Sequence, residues 1–243
     1  MKREKPKGRL TTADVVAMVA ADPELAARQR EQQRVHAERV ERNTRDEAPV
    51  VRDLAANGLA VRSVRDLIRR EGVPSGPPFP LGRYEEAIPV LIRWLPEVEN
   101  PNVKEGIIRA LSVPWAAPTA LPVLVAEFRR YDQPDWVRWA IANALEVTAD
   151  DSVFDDIVDL LLESRFGRSR EMLAVALGNM RTPRAQDVLI RLLDDEQLAG
   201  FAVMGLGKLR AKAAAPFLGH LLQHPVGWIR DEARKALELI AGS

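Results

Sequence analysis

Four cations, Lys104, Arg138, Arg170 and Arg230, recur at separations of 34, 32 and 60 residues. Like charges at a regular spacing could line a groove for an acidic peptide or a phosphate-bearing partner. They could equally bridge neighbouring repeats through Asp or Glu, because Glu105, Glu171 and Asp231 directly follow three of them. An exposed pair of that kind contributes only about 0–1 kcal/mol. Trp139 stands beside Arg138, and an aromatic next to a guanidinium is a frequent binding hot spot.

His220 and His224 are separated by one helical turn, the spacing that two metal ligands on one helix require. No third histidine lies near them, since His36 is far away in the chain. The absence of cysteine removes thiol nucleophiles, disulfides, Cys-ligated zinc and iron–sulfur clusters. The two histidines are therefore read as surface residues. No catalytic residue, cofactor or metal is assigned, and the chain is expected not to be an enzyme.

The elements that position these residues follow from composition and periodicity. Apolar residues make up 47% of the 243-residue chain, and the charged 29% cancel to a formal net charge of zero. No whole-molecule field therefore draws the protein to nucleic acid or to an anionic membrane. Residues 1–80 hold 16 Lys+Arg against 12 Asp+Glu, and 81–243 hold 19 against 23, so the C-terminal part is acidic. Arg outnumbers Lys 28 to 7, but the arginines are spread along the whole chain. No apolar run is long enough to span a bilayer, and the N-terminus lacks the apolar stretch of a signal peptide. A cytoplasmic location is expected.

Residues 1–10 are too polar to fold alone and read as a basic tail. Thr11, Thr12 and Asp14 offer capping side chains to a short helix that ends near Asp22-Pro23. From Glu24 to about Glu47 the stripe of Leu25, Val35 and Val40 is too thin for a coiled coil, so a solvated helix is expected. Two short helices, Pro49–Ala56 and Ser63–Arg70, each precede a glycine and are expected to form a hairpin. Residues 73–80 carry four prolines and mark a linker or tight turn. The expected division is a tail at 1–10, a helical extension at 11–80 and a solenoid at 81–243.

Beyond Tyr84 the sequence repeats. Ile88-Pro89-Val90-Leu91, Leu121-Pro122-Val123-Leu124 and Ala215-Pro216-Phe217-Leu218 are copies of one first helix, with further copies at 156–162 and 187–193. The second helix carries a small residue and then leucine: Ala110-Leu111, Ala144-Leu145, Ala176-Leu177, Gly205-Leu206 and Ala236-Leu237. These leucines are 34, 32, 29 and 31 residues apart. A period near 30 built of two helices leaves each pair with apolar surface that only a stacked neighbour can cover. The small residue lets adjacent helices approach closely. Trp136 and Trp228 share a position at the entry to the second helix, and Trp115 lies in the turn after the first unit.

These residues resemble the HEAT-repeat family. The stretch from Ala176-Leu177-Gly178-Asn179-Met180 to Val203-Met204-Gly205-Leu206-Gly207 is similar to its phycobilisome-lyase type. The resemblance covers about 84–241. It implies an all-α, right-handed α-solenoid of about five HEAT-like helix pairs with an N-terminal helical extension. It also implies that the second helices line the concave surface, where the four cations would form a ladder. The iron-binding hydroxylases of this family carry His-Glu dipeptides, which this sequence lacks.

The expected function is a non-catalytic scaffold that binds a protein or peptide, of acidic character, through the concave face. Trp139 would be the anchor, with Arg138, Lys104, Arg109, Arg170 and Asn143 around it. In the helix of Trp139 the buried stripe is read as Val137, Ala140, Ile141, Ala144 and Leu145, with Arg138, Trp139, Ala142, Asn143 and Glu146 facing out. A bilin lyase-like chaperone is the first alternative, compatible with a Cys-free chain because the acceptor thiol belongs to the substrate. A DNA-alkylation-repeat reader, using Trp136, Trp139 and Asp135 about a flipped base, is the second. The acidic repeat region counts against it, since phosphate binding needs a dominating basic surface. Neither partner identity nor oligomeric state follows from the sequence; an open solenoid end or the 24–47 helix could each pair with a second copy.

Overall fold

The computed structural model describes residue 11, residues 22–68 and residues 84–242. The expected tail at 1–10, most of the short helix ending near Asp22 and the proline-rich segment at 73–80 lie outside them. Two units are distinguished, Met1–Arg45 and Asp46–Ser243.

Helix α1 spans Pro23–Ala56. It starts where Asp22 accepts hydrogen bonds from the Glu24 and Leu25 amides, an N-cap. Its Arg45-preceding part is exposed and is laced by Glu24–Arg28, Glu31–Arg34 and Arg34–Glu38 pairs at 2.6–2.7 Å, the spacing at which helix side chains meet. The expected separate helix at Pro49–Ala56 is instead the end of α1, which runs through Pro49. A proline inside a helix costs about 3 kcal/mol, but Val50 and Leu54 just beyond it are completely buried. Burying two such side chains offsets that cost. α1 stops at Asn57-Gly58, with Gly58 at φ +85°, the left-handed cap that glycine adopts without strain. Of the expected helix at Ser63–Arg70, a short 3₁₀ turn forms at Val64–Ile68.

Five helix pairs follow. Their first members are α2 (Ala87–Glu97), α4 (Leu121–Arg129), α6 (Phe154–Leu162), α8 (Pro183–Arg191) and α10 (Ala215–Leu218). Their second members are α3 (Pro101–Leu111), α5 (Asp135–Thr148), α7 (Arg170–Leu177), α9 (Ala199–Leu209) and α11 (Gly227–Ala241). Pro101, Pro122, Pro183 and Pro216 sit in the first turn of their helices, where a missing N–H leaves no bond unmade. The recurrent prolines of the first helices thus mark helix starts. Each first helix packs on its second, and each second helix packs on the next, while first helices touch one another only slightly. The second helices therefore form the tighter, inner layer of an α-solenoid. No strand occurs among the described residues, and none of their helices is long and apolar enough to cross a membrane.

The repeat leucines Leu111, Leu145, Leu177 and Leu206 are completely buried, as are Ala110, Ala144 and Ala176. Gly178 of one repeat meets Gly205 of the next so closely that an added Cβ would lie 2.8 Å from the Gly205 Cα. The start of the stack is covered by 46–68. Val50, Leu54, Val64 and Leu67 are buried there, and the 3₁₀ turn lies on α3. Glu47 accepts from the Val64 amide at 2.7 Å and from Ser63 Oγ at 3.0 Å. Asp53 accepts from Arg93 and, at 2.7 Å, from Trp94 Nε1, and Asn100 donates to Asp46. Ile88, Leu91 and Leu95, which an uncovered first repeat would expose, are buried.

Candidate functional site

Each ladder cation lies in the first turns of a second helix or just before its main body. Three of them reach back to main-chain carbonyls at the turn that precedes it. Arg138 donates to the Phe128 and Arg130 carbonyls at 3.3 and 3.0 Å. Arg170 donates to the Leu161 and Gly167 carbonyls at 3.0 and 3.3 Å and to Gln197 Oε1 at 3.4 Å. Arg230 donates to the His224 and Pro225 carbonyls at 2.7 and 3.0 Å. A helix ends with carbonyls that have no intrahelical donor and with the negative end of its dipole, so a guanidinium placed there satisfies both. Lys104 differs: its ammonium pairs with Glu127 Oε2 at 2.6 Å, and both side chains are buried. Gln133 donates to the same carboxylate oxygen.

Only Lys104 bridges neighbouring repeats through a carboxylate; the three arginines instead tie the start of a second helix to carbonyls of its own pair. Arg138 and Ala142, expected to face out, are buried. A second helix is enclosed by its own first helix and by a second helix on each flank, so its buried surface is wider than one stripe. Burial pushes the Arg138 guanidinium below its ordinary pKa, while Asp135 acts in the opposite direction.

What remains open is a narrow strip of the inner layer. Trp139 is 45% exposed, and its backbone carbonyl accepts from the half-buried Asn143. Arg109 is exposed and donates to Glu105. Trp139, Asn143 and Arg109 thus remain accessible, Arg170 is half-buried, and Lys104 and Arg138 are withdrawn from the surface. Trp136 and Trp228 are also exposed, although one face of Trp228 lies over Gly200 and its ring is 5.3 Å from that of Phe201.

Two further cations reach the same layer. Arg65, from the 3₁₀ turn, donates to Glu105 Oε2 at 2.5 Å, and Arg168 donates to Glu171 Oε1 at 2.9 Å. Arg168 occupies the repeat position of Trp136 and Trp228, nine residues before the repeat leucine, so register alone could have singled it out. Arg65 lies outside the repeats and carries no such signal. Toward their C-terminal ends the second helices are tied together: Lys208 of α9 pairs with Glu146 of α5, and Asn179 donates to the Glu146 carbonyl.

A hollow at the turns between repeats, lined by Asp150, Asp151, Ser152, Asn179 and Arg181, does not include Trp139. Its carboxylates are engaged. Asp151 accepts from the Arg181 and Thr182 amides at 2.7 and 3.1 Å, and Asp150 accepts from the Ser152 amide. His220 is exposed, and His224 Nδ1 accepts from the Val226 amide. Among the described residues no group of three or more His, Cys, Asp or Glu side chains could hold a metal ion.

Comparison with known proteins yields one match. The family described as HEAT repeats matches residues 121–200, from the first turn of α4 to the first turn of α9. No curated protein and no solved structure matches the chain. The match falls on the helix pairs whose leucine-centred stacking is described above, so residues 121–200 are similar to HEAT repeats.

Proposed function

We propose that the chain is a non-catalytic scaffold that holds an acidic protein segment against the N-terminal half of its second-helix layer, with Trp139 as anchor. HEAT repeats are generally protein-interaction scaffolds. The observation that carries the reading is Trp139 itself: a large aromatic left 45% exposed in the middle of a mostly buried helix, with Trp136 exposed in the turn before it. Partly desolvated tryptophans ringed by polar groups dominate the energy of many interfaces. Asn143 fixes the backbone at Trp139, and Arg109 supplies an accessible charge. Arg138, Lys104 and Arg170 act behind them by holding the helix starts in place.

The test compares capture of partners from the source cell by wild type, Trp139→Ala and Phe217→Ala. Phe217 is an exposed aromatic on a first helix and controls for general stickiness. Trp139→Ala is expected to lower recovery of the specific partner about thirtyfold, the weight of a hot-spot residue. Phe217→Ala is expected to leave recovery unchanged. Equal recovery with Trp139→Ala would remove the assignment.

A further inference from the structure

The ion pairs of the inner layer are unequal in what they present to solvent. Glu105 is 11% exposed, while the two arginines that hold it, Arg65 and Arg109, are 52% and 53% exposed. Glu171 is 8% exposed and its partner Arg168 is 84% exposed. The carboxylates are inside and the guanidinium groups outside, so an approaching ligand meets positive charge at both places. The buried carboxylates also hold the guanidinium groups in orientation before anything binds.

Register relates the two places to Trp139. Glu105, Trp139 and Glu171 each stand six residues before the repeat leucine of their helix, on α3, α5 and α7. α3 packs on α5, and α5 on α7. The three positions therefore form a row across the layer: a cation centre, an exposed indole, and a second cation centre. Arg109 starts one turn further along α3, but its bond to Glu105 brings the guanidinium back to the level of the row. On α5 itself the exposed carboxylate is Asp135, in the first turn, where it is paired with Arg138.

We propose that this row reads an extended acidic peptide lying across the second helices. A large apolar side chain would sit on Trp139, and a carboxylate would lie about three residues to either side. The spacing follows from two lengths. Packed helices lie about 8–10 Å apart, and an extended chain advances about 3.3 Å per residue. One interhelical step thus corresponds to about three residues. The inference rests on the scaffold reading and adds to it the conformation and charge spacing of the ligand.

The experiment uses the full chain and three short fluorescent peptides of equal length, followed by anisotropy. The first carries a central Phe with Glu at the stated spacing on both sides and Gly or Ser elsewhere. The second has the same composition with both Glu moved next to Phe. The third has Gln in place of Glu. The first is expected to bind about tenfold more tightly than either of the others, and Trp139→Ala is expected to abolish that preference. Because all three peptides meet the same folded protein, misfolding cannot imitate the result.

Arg168→Gln supplies a second readout. Against peptides that keep only one Glu, it is expected to weaken one of the two and spare the other, a split that general charge screening does not produce. Equal binding of the first two peptides, or no binding of the first, overturns the inference. So does displacement of the first peptide by an oligothymidylate at equal concentration, which would point to phosphodiester binding instead. Failure of the peptide series while Trp139→Ala still loses its cellular partner sinks this inference alone. Capture indifferent to Trp139→Ala sinks the scaffold reading and the inference together.

Discussion

Gly205 shows how little room a single atom has in this stack. A Cβ there would lie 2.9 Å from the Ala174 carbonyl oxygen of the preceding second helix and 2.9 Å from a Leu189 methyl. The carbonyl belongs to a helix and cannot swing aside. Gly205→Ala is therefore expected to destabilise the fold by about 1–3 kcal/mol, the usual cost of overpacking, despite alanine's better helix propensity. Gly219, with open space where a Cβ would be, is the control. Urea denaturation should lower the midpoint for Gly205→Ala and leave it nearly unchanged for Gly219→Ala. Equal midpoints for wild type and Gly205→Ala would contradict the close approach of α9 to α7.

Among the elements, the segment 46–68 is joined to the first helix pair by buried apolar side chains and by a few carboxylates. Asp53 is the one whose titration can be followed. Its hydrogen bond from Arg93, and then that from the Trp94 indole, hold its carboxyl below the ordinary value of 3.8. A carboxyl whose folded pKa is depressed contributes stability above its unfolded value, and that contribution disappears as the pH falls through the folded one. Protection of the 46–56 amides against hydrogen exchange should therefore weaken on acidification below about pH 4. Asp53→Asn should already be weakened at neutral pH and should lose that part of the acid dependence. An unchanged acid profile in Asp53→Asn would exclude Asp53 as its source. This segment was only partly legible in sequence. Val50, Val51, Leu54, Val64, Leu67 and Ile68 could be read as a face to bury, because helical spacing is local, although Val51 and Ile68 are only half-buried. That α1 passes through Pro49 could not, because the compensation comes from burial against elements far along the chain.

At the scale of the molecule, the repeats were legible because leucines and small residues recur at a fixed period, and stacking follows from that period alone. The role of the ladder cations was not. Arg138 and Arg170 bind carbonyls eight to ten residues earlier, at Phe128, Arg130 and Leu161, and nothing in a cation's own neighbourhood announces a main-chain acceptor. Contacts that run mainly between neighbouring pairs imply that the last pair can be removed without loss of the others. A chain lacking 212–243 is expected to keep the helical circular dichroism of its remaining repeats. It should also bind a hydrophobic dye more strongly, since α11 no longer covers α9. Collapse of the helical signal to that of an unfolded chain would contradict nearest-neighbour stacking.

The tie between Lys208 and Glu146 departs from that pattern, because it joins α5 to α9 and skips the pair between them. Drawn apart from its two ends, such a chain would have to part this tie before the second and fourth pairs could separate, a small added resistance of about 0–1 kcal/mol for a pair so open to solvent.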